Sequence, residues 1–249
     1  MEYDGSPFAG WAVQPGERTI QAETETALRT LLRRDAHLTV AGRTDAGVHA
    51  WGQVAAYEGE PVRLRGLNAL LPREISALEC GPAPNGFDPR GDATSRTYCY
   101  RILTRSQPSA FERDRSLWWP HPLDFDALAA CAQSLPGTHD FSGFTPSQGN
   151  HRHFRRNVLD ARWERHGDLL EFWIEADSFL RHMNRILIGT MLEMTGAGRA
   201  ASDFAALLKG RPRSEAGRTA PAHGLYLASV LYEPPSGGET PARLPLGER

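Results

Sequence analysis

Between Leu159 and Asp177 apolar and polar residues alternate on either side of a short break, and no other stretch constrains the fold as tightly. Leu159, Ala161 and Trp163 alternate with Asp160, Arg162 and Glu164. Leu170, Phe172, Ile174 and Ala176 alternate with Glu171, Trp173, Glu175 and Asp177. Successive strand side chains point to opposite faces. Both segments therefore read as strands with one dry and one wet face, and Arg165-His166-Gly167-Asp168 reads as the turn of a hairpin. An antiparallel sheet of this kind needs a second layer over its dry face.

Helical stripes supply that layer. Residues 20–33 carry Ile20, Ala27, Leu28, Leu31 and Leu32, with Thr19 as N-cap. Leu64, Leu67, Leu70 and Leu71 predict a second helix, stopped before Pro72. Asp124 caps a third, containing Phe125, Leu128, Ala132 and Leu135. A long helix is predicted from about Phe179 to Met194, and a short one from Ser202, its cap, to Lys209, with Gly210 as stop. Strands are predicted at 38–41 (buried), 48–57, 75–80, 94–103 and 225–232. Residues 105–122, with Pro108, Pro120 and Pro122, read as a connection between two halves. Antiparallel pairing with helices on one face, an α+β architecture, follows from this order. The division expected is an N-terminal α/β subdomain over 1–104, a C-terminal one over 105–232, and a flexible tail over 233–249. That tail is rich in Pro and Gly and too poor in apolar residues to pack.

The chain has 249 residues, enough for one large or two modest domains. No apolar run approaches the roughly 20 residues of a membrane helix, and the first residues have no signal-peptide character. Cys80, Cys99 and Cys131 are widely spaced, which indicates neither a zinc knuckle nor a disulfide framework and fits a reducing cytoplasm. The net charge of −2 argues mildly against a nucleic-acid partner. Against that, Lys209 is the only lysine, and arginine suits phosphate contacts and base stacking. Arg152, Arg155 and Arg156 cluster beside His151 and His153; on composition alone, solvated surface is the favoured reading.

Three segments can carry chemistry. In Gly42-Arg43-Thr44-Asp45-Ala46-Gly47-Val48-His49-Ala50 a carboxylate sits between glycines after a strand, two residues from an arginine. Glycine allows close approach of a ligand or another backbone, and a neighbouring arginine favours the ionised carboxylate that a nucleophile requires. An Asx turn explains the same Asp45. In Ser95-Arg96-Thr97-Tyr98-Cys99-Tyr100, Tyr98 and Tyr100 share a strand face, either stacking on a base or facing the core. In Ser178-Phe179-Leu180-Arg181-His182-Met183-Asn184-Arg185, Arg181 and Arg185 share a helix face and bind phosphate, bind Asp45, or merely face solvent. The nine histidines show no metal-binding spacing, and the chain has no phosphate-binding P-loop or dinucleotide fingerprint.

Taken together, these segments closely resemble the bacterial tRNA pseudouridine synthase A family. The resemblance includes Tyr3-Asp4-Gly5-Ser6-Pro7-Phe8-Ala9-Gly10-Trp11, Thr19-Ile20-Gln21, the Gly42–Ala50 loop, Ser95–Tyr100, His139-Asp140-Phe141-Ser142-Gly143-Phe144, Phe179–Arg185 and Ala220–Leu227. These cover residues 1–232 in the expected order, and the loop around Asp45 is the most specific of them. The resemblance implies two α/β subdomains flanking a basic cleft, a homodimer, and isomerisation of uridine to pseudouridine at positions 38, 39 and 40 of the tRNA anticodon stem-loop. It matches Asp45 to the catalytic aspartate, Tyr98 to the tyrosine that packs on the target base, Arg185 to the arginine paired with the aspartate, and Arg43 to the arginine that helps displace the base. It implies no cofactor and no metal.

Two departures stand out. Gly10-Trp11-Ala12-Val13-Gln14 stands where the family often has Gly-Trp-Gln-x-Gln, with the loss of one polar contact near the entrance expected, and Asn184 stands where valine is usual. The chain also begins inside the first motif, so its opening strand is expected to be short, with the translation start upstream. Two rival readings are a catalytically silent RNA-binding module, disfavoured by the intact Asp45, Arg43 and Arg185, and a metal-dependent hydrolase, which a chelator would inactivate.

Overall fold

The alternation around Gly167 folds as a hairpin in the computed structural model, which describes residues 1–147 and 153–233. In chain order the elements are β1 (Glu2–Tyr3), α1 (Ile20–Leu32), β2 (Thr39–Val40), β3 (His49–Ala50), β4 (Ala55–Ala56), α2 (Leu64–Leu70), β5 (Ile75–Ser76) and β6 (Ala93–Leu103). They continue with β7 (Leu117–Trp118), α3 (Phe125–Gln133), β8 (Gly137–Asp140), β9 (Arg155–His166), β10 (Leu169–Ala176), α4 (Met183–Gly196), α5 (Ala201–Leu207) and β11 (Leu225–Tyr232). His151, Arg152 and the tail beyond Glu233 lie outside the described residues.

Nine strands form one sheet in the order β5-β1-β3-β11-β6-β10-β9-β8, with β7 also paired to β6. All pairs are antiparallel except β11 with β3 and β6 with β7. The class is therefore α+β, as the residue pattern predicted. The sheet runs unbroken past residue 104, because β6 is bracketed by β10 and β11 from the second half of the chain. β1 lies between β3 and β5, each two residues long, and the Met1 amino group and carbonyl pair with the backbone of Gln53.

One face of the sheet carries two apolar clusters. In the first, Tyr100, Ile102, Phe172 and Ile174 pack with α3, α4 and α5 through Leu128, Leu187, Met191 and Phe204. In the second, Tyr3, Ala50 and Leu227 pack with α1 and α2 through Ile20, Leu28 and Leu67. Each such side chain, when fully buried, contributes about 1.5–3 kcal/mol. Tyr98 touches both clusters and marks the seam between them. The opposite face holds Cys99, Trp173, Tyr226 and Ala228, with Trp51 against them. Thr19 accepts a hydrogen bond from the Ala22 amide and Asp124 from the Ala127 amide, so both predicted caps close their helices.

Five local expectations are corrected. Leu159 is 52% exposed and Val158 is buried in its place, because a bulge opposite Glu175 and Ala176 inserts one extra residue and reverses the facing beyond it. The 48–57 strand breaks at Trp51-Gly52, where both amides donate to the Leu227 carbonyl; a Cβ on Gly52 would lie 2.4 Å from the Ala228 carbonyl. β2 is not buried, since it pairs only with β4 in a separate two-stranded ribbon. The short helix begins at Ala201 with no side-chain cap from Ser202. The long helix starts at Met183 rather than Phe179, because the preceding residues are tied elsewhere: Phe179 packs edge-on against Tyr98, and Thr145 donates to the Arg181 carbonyl.

Candidate active site

The loop between β2 and β3 is held on both sides before Asp45 meets anything else. The Gln53 amide donates to the Gly42 carbonyl at 2.7 Å and to the Tyr3 hydroxyl at 3.1 Å, and that hydroxyl lies 2.8 Å from Thr44 Oγ1. The Trp11 amide donates to the Thr44 carbonyl at 3.0 Å, and Val48 N–H to the Asp45 carbonyl at 3.1 Å. Gly10 has φ +99°, and a Cβ there would lie 2.9 Å from the Thr44 carbonyl oxygen, so only glycine lets the first motif close on this loop. Arg96 adds a clamp from beneath, its guanidinium donating to the Ala41 carbonyl at 3.3 Å.

From α4, across the seam, Arg185 reaches the same loop. Its Nη1 lies 3.1 Å from Asp45 Oδ2, while its Nε donates to the Ala220 carbonyl at 2.8 Å. The Ala220 amide donates back to the Arg185 carbonyl at 2.9 Å, which fixes the backbone as well. His182 Nε2 lies 3.4 Å from the same carboxylate oxygen. His182 has φ +61°, one of two non-glycine residues with positive φ among those described, a conformation that costs roughly 1–2 kcal/mol. Burial lowers its pKa; Asp45 opposes that shift, and Arg185 and Arg181 add to it.

These groups line a pocket of about 460 Å³ together with Ala9, Trp11, Ala12, Gln14 and Arg43. Among the described residues that line it, Asp45 is the only acid, set among Arg43, Arg181, Arg185 and His182. Arg43 is exposed and, among the described residues, makes no hydrogen bond or ion pair, so its guanidinium is free to meet a ligand. Tyr98 is partly buried at the seam beside Gly42, and desolvation, reinforced by Tyr3 and Asp45, drives its phenol pKa far above the usual range. Of the two departures, Ala12 lines the pocket and Val13 is 54% exposed. Asn184 is buried, and its Oδ1 has no partner among the described residues.

The sequence brought attention to Asp45, Arg43, Tyr98 and Arg185, and all four stand at or beside this pocket. It gave His182 no role, because a helix drawn from Phe179 hides the left-handed residue that turns the imidazole onto Asp45. Elsewhere, the hairpin register brings Glu164, His166 and Glu171 within 4.8 Å of one another, a grouping their spacing did not announce. Both carboxylates are already paired, Glu164 with Arg162 and Glu171 with Arg101.

Comparison with known proteins identifies the chemistry. A family profile described as tRNA pseudouridine synthase matches residues 131–233. The tRNA pseudouridine synthase A of Halalkalibacterium halodurans is 39% identical over 90% of this chain and 88% of its own length. That of Xanthobacter autotrophicus is 39% identical over 93% and 97%, and that of Frankia casuarinae 43% identical over 94% and 88%. A chain in the crystal structure of a Cbf5-Nop10-Gar1 complex is a distant likeness, with a TM-score of 0.37 and 12% identity over 79% of this chain and 54% of that one. The protein is an RNA-modifying isomerase. It belongs to the tRNA pseudouridine synthase A family.

Proposed function

We propose that this tRNA pseudouridine synthase modifies uridines 38, 39 and 40 of the anticodon stem-loop, with Asp45 as nucleophile and neither metal nor organic cofactor. The observation that carries this reading is the Asp45–Arg185 ion pair, set as the only carboxylate of an arginine-lined pocket. Isomerisation breaks the bond between the base and the ribose, turns the uracil, and rejoins C5 to C1′. Nothing is oxidised and no group is imported, so an ionised carboxylate and a shielded pocket suffice.

The target base has to leave its stack, at a cost of a few kcal/mol. Arg43, exposed at the pocket rim, takes the place of the displaced base, and the partly buried ring of Tyr98 packs against the extruded uracil, a contact worth about 1–3 kcal/mol. Arg185 holds and orients Asp45 through that ion pair. Subdomains 1–104 and 105–232 meet at the seam where the substrate enters, with Tyr100 and Ile102 of the first and Leu227 of the second each packing in the other's apolar cluster, and the working unit is a cytoplasmic homodimer.

The test is pseudouridine mapping on tRNAs carrying uridine at positions 38, 39 and 40 after incubation with the protein, with and without EDTA. Modification at those positions that survives the chelator is expected. Modification only elsewhere in the tRNA removes the positional assignment, and loss in chelator removes the metal-free mechanism. A second expectation concerns Arg185→Ala. Single-turnover rates should fall about 100-fold, as when one preorganised charge partner is lost, while the tRNA Kd changes by only a few fold. Equal losses in rate and affinity would make Arg185 a phosphate ligand rather than the partner of Asp45.

A further inference from the structure

Pseudouridine formation moves one proton as well as one bond. When C5 has joined C1′, C5 still carries its hydrogen and the ring holds a C6=N1 double bond. The product forms when the C5–H electron pair becomes the C5=C6 double bond, the C6=N1 bond opens, and N1 takes up a proton. A base near Asp45 has to collect the first proton, and no co-reactant is needed if it returns that proton to N1.

The pocket offers few candidates. Arg43, Arg181 and Arg185 are cations with no lone pair to give. The Tyr98 phenol is kept protonated by burial. Asp45 leaves the sugar only as C5 joins C1′ and is then paired with Arg185, in the reading above, on which this inference rests. His182 lines the same pocket with Nε2 3.4 Å from Asp45 Oδ2, placed there by a left-handed backbone that an ordinary helix start would not require. We propose that neutral His182 is the proton carrier of the isomerisation, taking the proton from C5 and delivering it to N1.

The surroundings suit that cycle. The groups facing His182 are Asp45 from the β2–β3 loop, Arg185 from α4 and Arg181 from its own segment. Burial, Arg185 and Arg181 hold the imidazole neutral and so ready to accept a proton. As C5 joins C1′, Asp45 is released from the sugar as a free carboxylate and can balance the imidazolium formed beside it. In the resting site Arg185 and His182 converge on one oxygen, Oδ2, which leaves Oδ1 to face the sugar.

The experiment compares wild type with His182→Asn on tRNA containing 5-deuterated or unlabelled uridine, under single turnover across a pH series. Asparagine tolerates left-handed backbone, and equal melting temperatures check that the variant folds. The expected result is a rate loss of about 100-fold or more, typical of removing an acid–base group, with tRNA Kd within about threefold. The variant should show a 5-deuterium isotope effect above that of wild type, because C5–H cleavage becomes the slow step. It should also lose the acid limb of the wild-type profile, where activity falls as His182 protonates. Added imidazole should restore part of the rate in His182→Gly. An unchanged rate, or a slower rate with no new isotope effect and an unaltered pH profile, overturns the proposal and leaves His182 a structural contact. If wild type fails to modify the stem-loop, or Asp45→Ala remains active, the reading beneath it has failed instead.

Discussion

Asp45→Ala should abolish pseudouridine formation while tRNA affinity stays within a few fold of wild type. The loop does not depend on the carboxylate for its shape. Its backbone is held by Trp11 on Thr44, by Gln53 on Gly42, and by the Asp45 carbonyl on Val48, none of which the substitution removes. Arg185 loses its ionic partner but keeps the Ala220 carbonyl. The Asp45 side chain is 32% exposed, so the stability lost with the ion pair is at most about 1 kcal/mol. Phosphate contacts supply most affinity for RNA, and deleting a negative charge from an arginine-lined pocket does not weaken them. The rate should therefore fall by on the order of 10⁴-fold or more, the scale on which losing a nucleophile acts. Single-turnover product analysis beside a filter-binding Kd separates the two effects. Residual turnover near wild type would remove Asp45 from the chemistry.

Arg96→Met should produce the largest loss of stability among single substitutions near the site. The Arg96 residue is 8% exposed. Its guanidinium donates to the carbonyls of Ala93 at 3.1 Å, Asp177 at 2.8 Å, Ala41 at 3.3 Å and Arg90 at 2.5 Å. Ala41 leads into the Asp45 loop and Asp177 into the segment that carries His182, so one side chain braces both approaches to the pocket. Methionine fills similar volume but offers no donor. Each carbonyl left buried without a partner costs about 1–3 kcal/mol, partly offset because no charge is then desolvated. A net loss of about 3–5 kcal/mol follows, which at roughly 2–4 °C per kcal/mol for a chain of this size lowers Tm by about 10 °C. Arg96→Lys should recover little, since a single ammonium cannot span carbonyls arranged for a planar fork. A melting temperature within 2–3 °C of wild type (about 1 kcal/mol) would show that water replaces the guanidinium without penalty.

The net charge of −2 pointed away from nucleic acid, and the structure shows why a sum over the chain misleads. The acidic residues of the wet sheet face are neutralised locally, as Asp160 and Glu164 are by Arg162 and Glu171 is by Arg101. The arginines of the pocket face a single carboxylate. Opposite charges are paired across the wet sheet face, while arginines gather around Asp45 at the pocket.

The sequence by itself determined whatever depends on neighbours a few residues apart. Two-residue alternation set the hairpin and its dry face, Thr19 and Asp124 set the helix starts they cap, and the Gly42–Ala50 loop singled out Asp45 only through its resemblance to the family's loop, its own residues leaving an Asx turn open. The same local reasoning placed Leu159 on the wrong face, carried the 48–57 strand through Gly52, and began the long helix at Phe179. Each failure has a partner remote in sequence: the bulge opposite Glu175, the Ala228 carbonyl pressed against Gly52, and Tyr98 and Thr145 holding the residues before Met183. The tertiary structure alone decided that β11 enters between β3 and β6, and that the sheet is continuous. It alone brought Arg185 and His182 onto one oxygen of Asp45, 140 residues away from Arg185 along the chain. Period and capping act over one or two turns of backbone, whereas the geometry of the pocket depends on contacts that exist only once two apolar clusters have packed on a common sheet.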